Sequence, residues 1–89
     1  MNAIVTVLGK DRVGIMAAVC VRLADLNINI MDISQTIIKN NFTMVMAVDI
    51  EKATVKFSEI KKSLEQLGQE MSLSIKIQRE EIFEAMYTI

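Results

Sequence analysis

Apolar residues change their spacing in turn along the chain, and each change marks an element. Residues 2–8 are apolar or β-branched on both faces, the pattern of a central strand with helices against one side and something else against the other. From Val13 to Leu26 the spacing becomes helical. Ile15, Val19, Leu23 and Leu26 share one side, which leaves Arg22 and Asp25 for solvent. A second strand opens at Asn27-Ile28-Asn29-Ile30 and continues through Met31, Ile33 and Ile37. Lys39-Asn40-Asn41 supplies a turn, its asparagines suited to left-handed backbone, and residues 42–50 return as the other arm of a hairpin. On that arm Phe42, Met44, Met46, Val48 and Ile50 make a strongly apolar face. Thr43, Val45, Ala47 and Asp49 make a milder one. After a connecting loop at 51–54, Phe57, Ile60, Leu64 and Leu67 form a second helical stripe ending near Gly68, and Leu73, Ile75 and Ile77 alternate inward along a last strand.

Strand, helix, strand, strand, helix, strand is split βαβ connectivity. It predicts an α+β, ferredoxin-like βαββαβ sandwich: an antiparallel four-stranded sheet with two helices on one face. A leftover segment, residues 80–89, carries Ile82, Phe83, Met86 and Ile89 on one side and Glu80, Glu81 and Glu84 mostly on the other, so a short C-terminal amphipathic helix is expected. So short a helix is marginal alone and must dock to be stable, either on its own sheet or on a partner subunit.

Composition adds a partner and removes most chemistries. In 89 residues, 52% apolar content and a mean hydropathy of +0.35 give more apolar surface than one small core hides, so a homo-oligomer is expected. Ten basic against eleven acidic residues give no positive field for nucleic acid. No apolar run reaches the roughly 18 residues of a membrane span, and Met1-Asn2 enters a strand without a signal peptide's basic and apolar regions. The chain is expected to be cytoplasmic and complete. The single cysteine, Cys20, sits in the apolar run 17–21 and reads as a small buried hydrophobe, while the lack of histidine removes the commonest general base and metal ligand. No metal or cofactor is expected.

The candidate chemistry lies between the first strand and helix, in Gly9-Lys10-Asp11-Arg12-Val13-Gly14-Ile15-Met16. The free amides at the start of a helix favour an anionic group such as a carboxylate or phosphate. The glycine spacing fits a phosphate loop, but Ile15-Met16 stands where Lys and Ser or Thr have to follow, and a dinucleotide fingerprint needs a third, closer glycine. Asp11 is placed either to cap the helix or to contact a ligand.

These residues resemble the ACT domain, a small-molecule-sensing module of amino-acid metabolism, over residues 1–79. Gly9 to Ile15 resembles that family's strand-to-helix loop, often Asp-Arg-Pro-Gly followed by an apolar pair, with Val13 departing from the usual proline. Leu26-Asn27-Ile28-Asn29-Ile30 resembles its helix-to-strand segment. The likeness is to free-standing, single-domain members of the glycine-cleavage-repressor type. It implies a side-by-side dimer with an eight-stranded sheet and ligand contacts at Asp11, at the backbone of Arg12, Val13 and Gly14, and at Asn29 near the interface. Gly9 stands where some members carry a ligand-contacting polar side chain. In that frame the amides of Val13 and Gly14 receive an α-carboxylate, Asp11 accepts from an α-ammonium and Asn29 orients the ligand. The expectation is a non-enzymatic regulator that binds a small amino acid and signals to a separate target protein. The alternatives are an interaction module without a ligand and an acylphosphatase-like hydrolase using Arg12 and Asn29.

Overall fold

The structure is a computed structural model and describes residues 2–81. Its elements are β1 (Asn2–Lys10), α1 (Ile15–Asp25), β2 (Asn29–Ile38), β3 (Asn41–Asp49), α2 (Phe57–Met71) and β4 (Ser74–Arg79). The strands form one antiparallel sheet in the order β2-β3-β1-β4, so the strand predicted to be central lies inside the sheet. This is the expected ferredoxin-like arrangement. The expected C-terminal helix falls almost wholly on residues 82–89, outside the described residues.

The pleat divides the sheet. Val5, Val7, Met44, Met46, Val48, Ile75 and Ile77 point into the core, where Ile15, Val19 and Leu23 of α1 and Ile60, Leu64 and Leu67 of α2 close over them. The two helices meet through Arg22, whose Nη1 donates to the Ser63 carbonyl at 2.9 Å and to its hydroxyl at 3.0 Å. Arg22 thus belongs to the seam between the helices rather than to open solvent, because its place on the wheel, beside Ala18, faces α2.

Two boundaries differ from the apolar pattern. Helix α1 begins at Ile15, two residues later than expected, because Gly14 at φ +94° turns the chain into it. Helix α2 runs past Gly68 to Met71, and Ser72 adopts the left-handed cap (φ 58°) that a glycine was expected to supply. Gly68 is needed for proximity instead. The Leu73 N–H donates to its carbonyl at 2.8 Å, and a Cβ there would lie 2.6 Å from the Leu73 oxygen.

The hairpin turn is the two-residue Lys39-Asn40, both at positive φ, with Ile38 and Asn41 closing the ladder. Strand β2 lies at the sheet edge and carries a bulge between Ile30 and Asp32. The extra residue shifts the alternation so that Ile30, Ile33 and Ile37 all register with core residues of β3, namely Val48, Met46 and Phe42. The core does not follow them outward, and Ile33 is 37% and Ile37 54% exposed.

Candidate functional site

Residues 11–14 cross from the end of β1 to the start of α1. The Asp11 N–H donates to the Asn40 carbonyl at 2.8 Å, fastening the loop to the β2–β3 turn. Arg12 spans the other way, its Nη2 donating to the Met71 carbonyl at 2.6 Å and so satisfying one of the open carbonyls at the end of α2. Val13 is fully exposed. Gly14 is the N-cap, and its carbonyl takes the first helical bond, from Ala18 at 3.0 Å.

No side chain caps α1, so Asp11 is not the cap that the sequence allowed. The free donors are consequently the amides of Gly14, Ile15, Met16 and Ala17, which keep Gly14 of the expected pair and leave out Val13. No acidic residue occupies the first turn of α1. The loop therefore offers uncapped amides, an exposed apolar residue and the Asp11 carboxylate on an anchored backbone.

Asn29 lies elsewhere. It starts β2 and pairs with Asp49, which pairs with Asn2, whereas Lys10 pairs with Asn41 at the opposite end of the sheet. At about 3.3 Å per residue that separation is roughly 25–30 Å, so one chain does not bring Asp11 and Asn29 together. Around Asn29 a shallow hollow of about 460 Å³ is lined by Ala24, Asn27, Ile28, Asp49 and Lys52. Its rim is fixed by the Asn27 Nδ2, which donates to the Lys52 carbonyl at 2.8 Å, and by the Thr54 N–H, which donates to the Leu26 carbonyl at 3.0 Å. Asn27, Asp49 and Lys52 were not singled out by sequence. The one signal was the first asparagine in Asn27-Ile28-Asn29, while Lys52 was read only as part of a connecting loop.

Gly9 faces Leu73, and a Cβ there would collide with that side chain, so packing against Leu73 takes the space a polar side chain would use. Among the described residues no cluster of His, Cys, Asp and Glu is placed to hold a metal ion, and no helix is long and apolar enough to cross a membrane.

An antiparallel split-βαβ sheet with both helices on one face defines the chain as a small ferredoxin-like α+β domain. The chain belongs to the ACT domain family, whose pattern it matches over residues 2–78. It is 53% identical to a UPF0237 protein of Listeria innocua, with all of both chains covered. An ACT domain protein from Streptococcus pneumoniae superposes with a TM-score of 0.82 at 44% identity, covering 98% of each chain. A putative glycine cleavage system transcriptional repressor shares the fold, with a TM-score of 0.77 at 24% identity over 88% of this chain and 44% of that one. The resemblance read from the two loop motifs is thereby borne out.

Proposed function

We propose that the protein is a non-enzymatic regulatory ACT domain that binds a small amino acid between two copies of itself and signals its presence to a separate target protein. The observation that carries this reading is the hydrogen bond from Asp11 to Asn40. It holds the ligand loop beside the end of the edge strand β2, while Asn29 occupies the beginning of the same strand. When two β2 edges pair antiparallel about a two-fold axis, the first residue of each strand comes opposite the last residue of the other. The partner's Asn29 then lies against this chain's loop, and the two half-sites, some 25–30 Å apart within one chain, meet.

The edge supports such pairing. Met31, Ile33, Ile37 and Ile38 of β2 are exposed apolar residues on a strand with a free side. Ala17, Cys20 and Ala24 follow one another at helical spacing along the flank of α1 away from α2, and their small side chains allow close approach. In the composite site the amides of Gly14 to Ala17 receive the α-carboxylate and Asp11 accepts from the α-ammonium. The hollow around Asn29, with Asn27 and Lys52 on its rim, takes the amino-acid side chain. Ligand bound across the axis stabilises the dimer over the monomer, and that difference in affinity is what a target protein reads.

A thermal-shift screen against the proteinogenic amino acids tests the ligand. At a hundred times Kd a ligand specific for the folded dimer contributes about 2.7 kcal/mol, a rise of many degrees in a domain of this size. Absence of a shift with every amino acid removes the ligand and favours the interaction module.

The acylphosphatase reading loses its arginine. The Arg12 guanidinium is engaged with the Met71 carbonyl, and within one chain Asn29 is at the far end of the sheet.

A further inference from the structure

The two edges of the sheet carry different chemistry. Strand β2 presents ten residues with exposed Met31, Ile33, Ile37 and Ile38, whereas β4 has six and carries Lys76 and Arg79 with no acidic residue. Among the described residues nothing pairs with the free side of β4, which is bordered by one flank of α2. Phe57, Lys61, Glu65 and Gln69 recur at every fourth position along that flank. Two hollows lie in a row between flank and strand. One, of about 310 Å³, is lined by Phe57, Lys61, Ile77 and Arg79, and the other, of about 270 Å³, by Glu65, Gln69, Leu73, Ile75 and Lys76. We propose that this groove docks an extended, acidic segment of another protein, which adds to the β4 edge as a further strand.

The backbone supplies affinity and the hollows supply selection. An edge strand turns the N–H and C=O groups of alternate residues outward, where an extended chain can pair with them. The hollows are centred about three residues apart along β4, roughly 10 Å, so side chains two to four residues apart on one face of an added strand reach one each. Their linings differ in charge. In the first, buried Ile77 and half-buried Phe57 lie beneath two exposed cations, Lys61 and Arg79, and the Arg79 guanidinium stands 5.3 Å from the centroid of the Phe57 ring. A carboxylate side chain fits there, its methylenes on the apolar floor and its oxygens on the cations. In the second, Glu65 and Lys76 offset each other above Leu73 and Ile75, which suits an uncharged apolar side chain. Glu80 and Glu81, next in the chain, border Arg79 in a separate hollow beside Asn2 and do not line the groove.

Charge and size also decide against a second copy. Pairing β4 with β4 sets the Lys76 and Arg79 of one chain along those of the other, and a lysine on an edge strand opposes such self-association. Six residues of strand by the roughly 10 Å between sheet and helix layers give on the order of 200 Å². That is the footprint of one strand, well below the roughly 800 Å² per partner of a stable folded interface. Since β4 and β2 are opposite edges, the groove stays open when two β2 edges pair. That the docked protein is the signalling target rests on the function proposed above, whereas the docking itself requires no amino acid.

Selection from a phage-displayed library of random linear octapeptides on the native protein, followed by fluorescence anisotropy with the enriched peptides, tests the groove. Enriched sequences are expected to carry Asp or Glu two to four positions from an apolar β-branched residue. Lys61→Glu combined with Arg79→Glu is expected to weaken their binding at least about tenfold, and Lys62→Glu, outside both hollows, to change it by less than about twofold. If the double reversal lowers Tm, Lys61→Ala alone takes its place, with weaker binding again expected. Hydrogen exchange locates the added strand: saturating peptide slows the amides of residues 74–79 and leaves those of β2 unchanged. Selection of no acidic peptide, binding indifferent to the Lys61 and Arg79 substitutions, or protection at β2 in place of β4 overturns the proposal. All these readouts are made without an amino acid, so failure here leaves the amino-acid site standing, and an empty thermal-shift screen leaves the groove standing.

Discussion

Gly14 and Gly68 are both required, for opposite reasons. At Gly14 a Cβ meets nothing within 4 Å, and the requirement is the positive φ alone. Gly14→Ala is expected to destabilise by about 1–2 kcal/mol, lowering Tm by several degrees. At Gly68 the backbone is helical, and propensity by itself predicts that alanine stabilises by up to about 1 kcal/mol. The collision with the Leu73 oxygen reverses the sign, so Gly68→Ala is expected to lower Tm too, and a rise would show that the α2–β4 connection relaxes at little cost. Sequence marked both glycines but misassigned one. Spacing suggested that Gly68 ends a helix, whereas only the fold shows that it makes room for Leu73. The same limit applied to Asp11, for a carboxylate near a helix start looks like a cap until Gly14 is seen to hold that position.

Among the elements, β1 was legible from its run of apolar and β-branched residues on both faces, and β3 and the core faces of both helices because burial imposes periods of two and 3.6 on the apolar residues. Strand β2 was harder to place. Its bulge changes the alternation part-way, and its outer positions remain apolar although the chain's own core does not reach them. The C-terminal end of α2 was misplaced because a serine, not a glycine, adopts the left-handed cap. That choice carries strain, and Ser72→Gly is expected to stabilise the domain by about 1 kcal/mol, read as a higher urea midpoint at unchanged slope. An unchanged or lower midpoint would mean that the serine makes contacts that offset its backbone cost.

For the whole molecule, the order of elements and the family were readable from two loop motifs and the hydrophobic pattern. The position of Asn29 relative to Asp11 was not, since sequence separation says nothing about which end of a sheet a residue occupies. Apolar content in excess of one core pointed to a partner, and the largest share of the exposed apolar side chains among the described residues, Met31, Ile33, Ile37 and Ile38, lies on the β2 edge. Ile33 lies near the middle of β2, so Ile33→Lys sets two like charges close to the proposed two-fold axis. At 37% exposure in the single chain, the substitution is tolerable for folding. The expected outcome is a folded monomer by sedimentation equilibrium and circular dichroism; a variant that remains dimeric places the interface elsewhere.

The central claim is that each ligand site is shared by two chains, and complementation tests it most directly. Asp11→Ala keeps the backbone bond to Asn40 but removes the group proposed to meet the ammonium, and Asn29→Ala removes the orienting amide. Calorimetric titration with the amino acid that stabilises the native protein is expected to show strongly weakened binding for either variant alone. After the two are unfolded and refolded together, each mixed dimer contains one site carrying both substitutions and one carrying neither, so native-affinity binding returns at one site per mixed dimer. Failure of the mixture to bind any better than its components would contradict a site built across the interface.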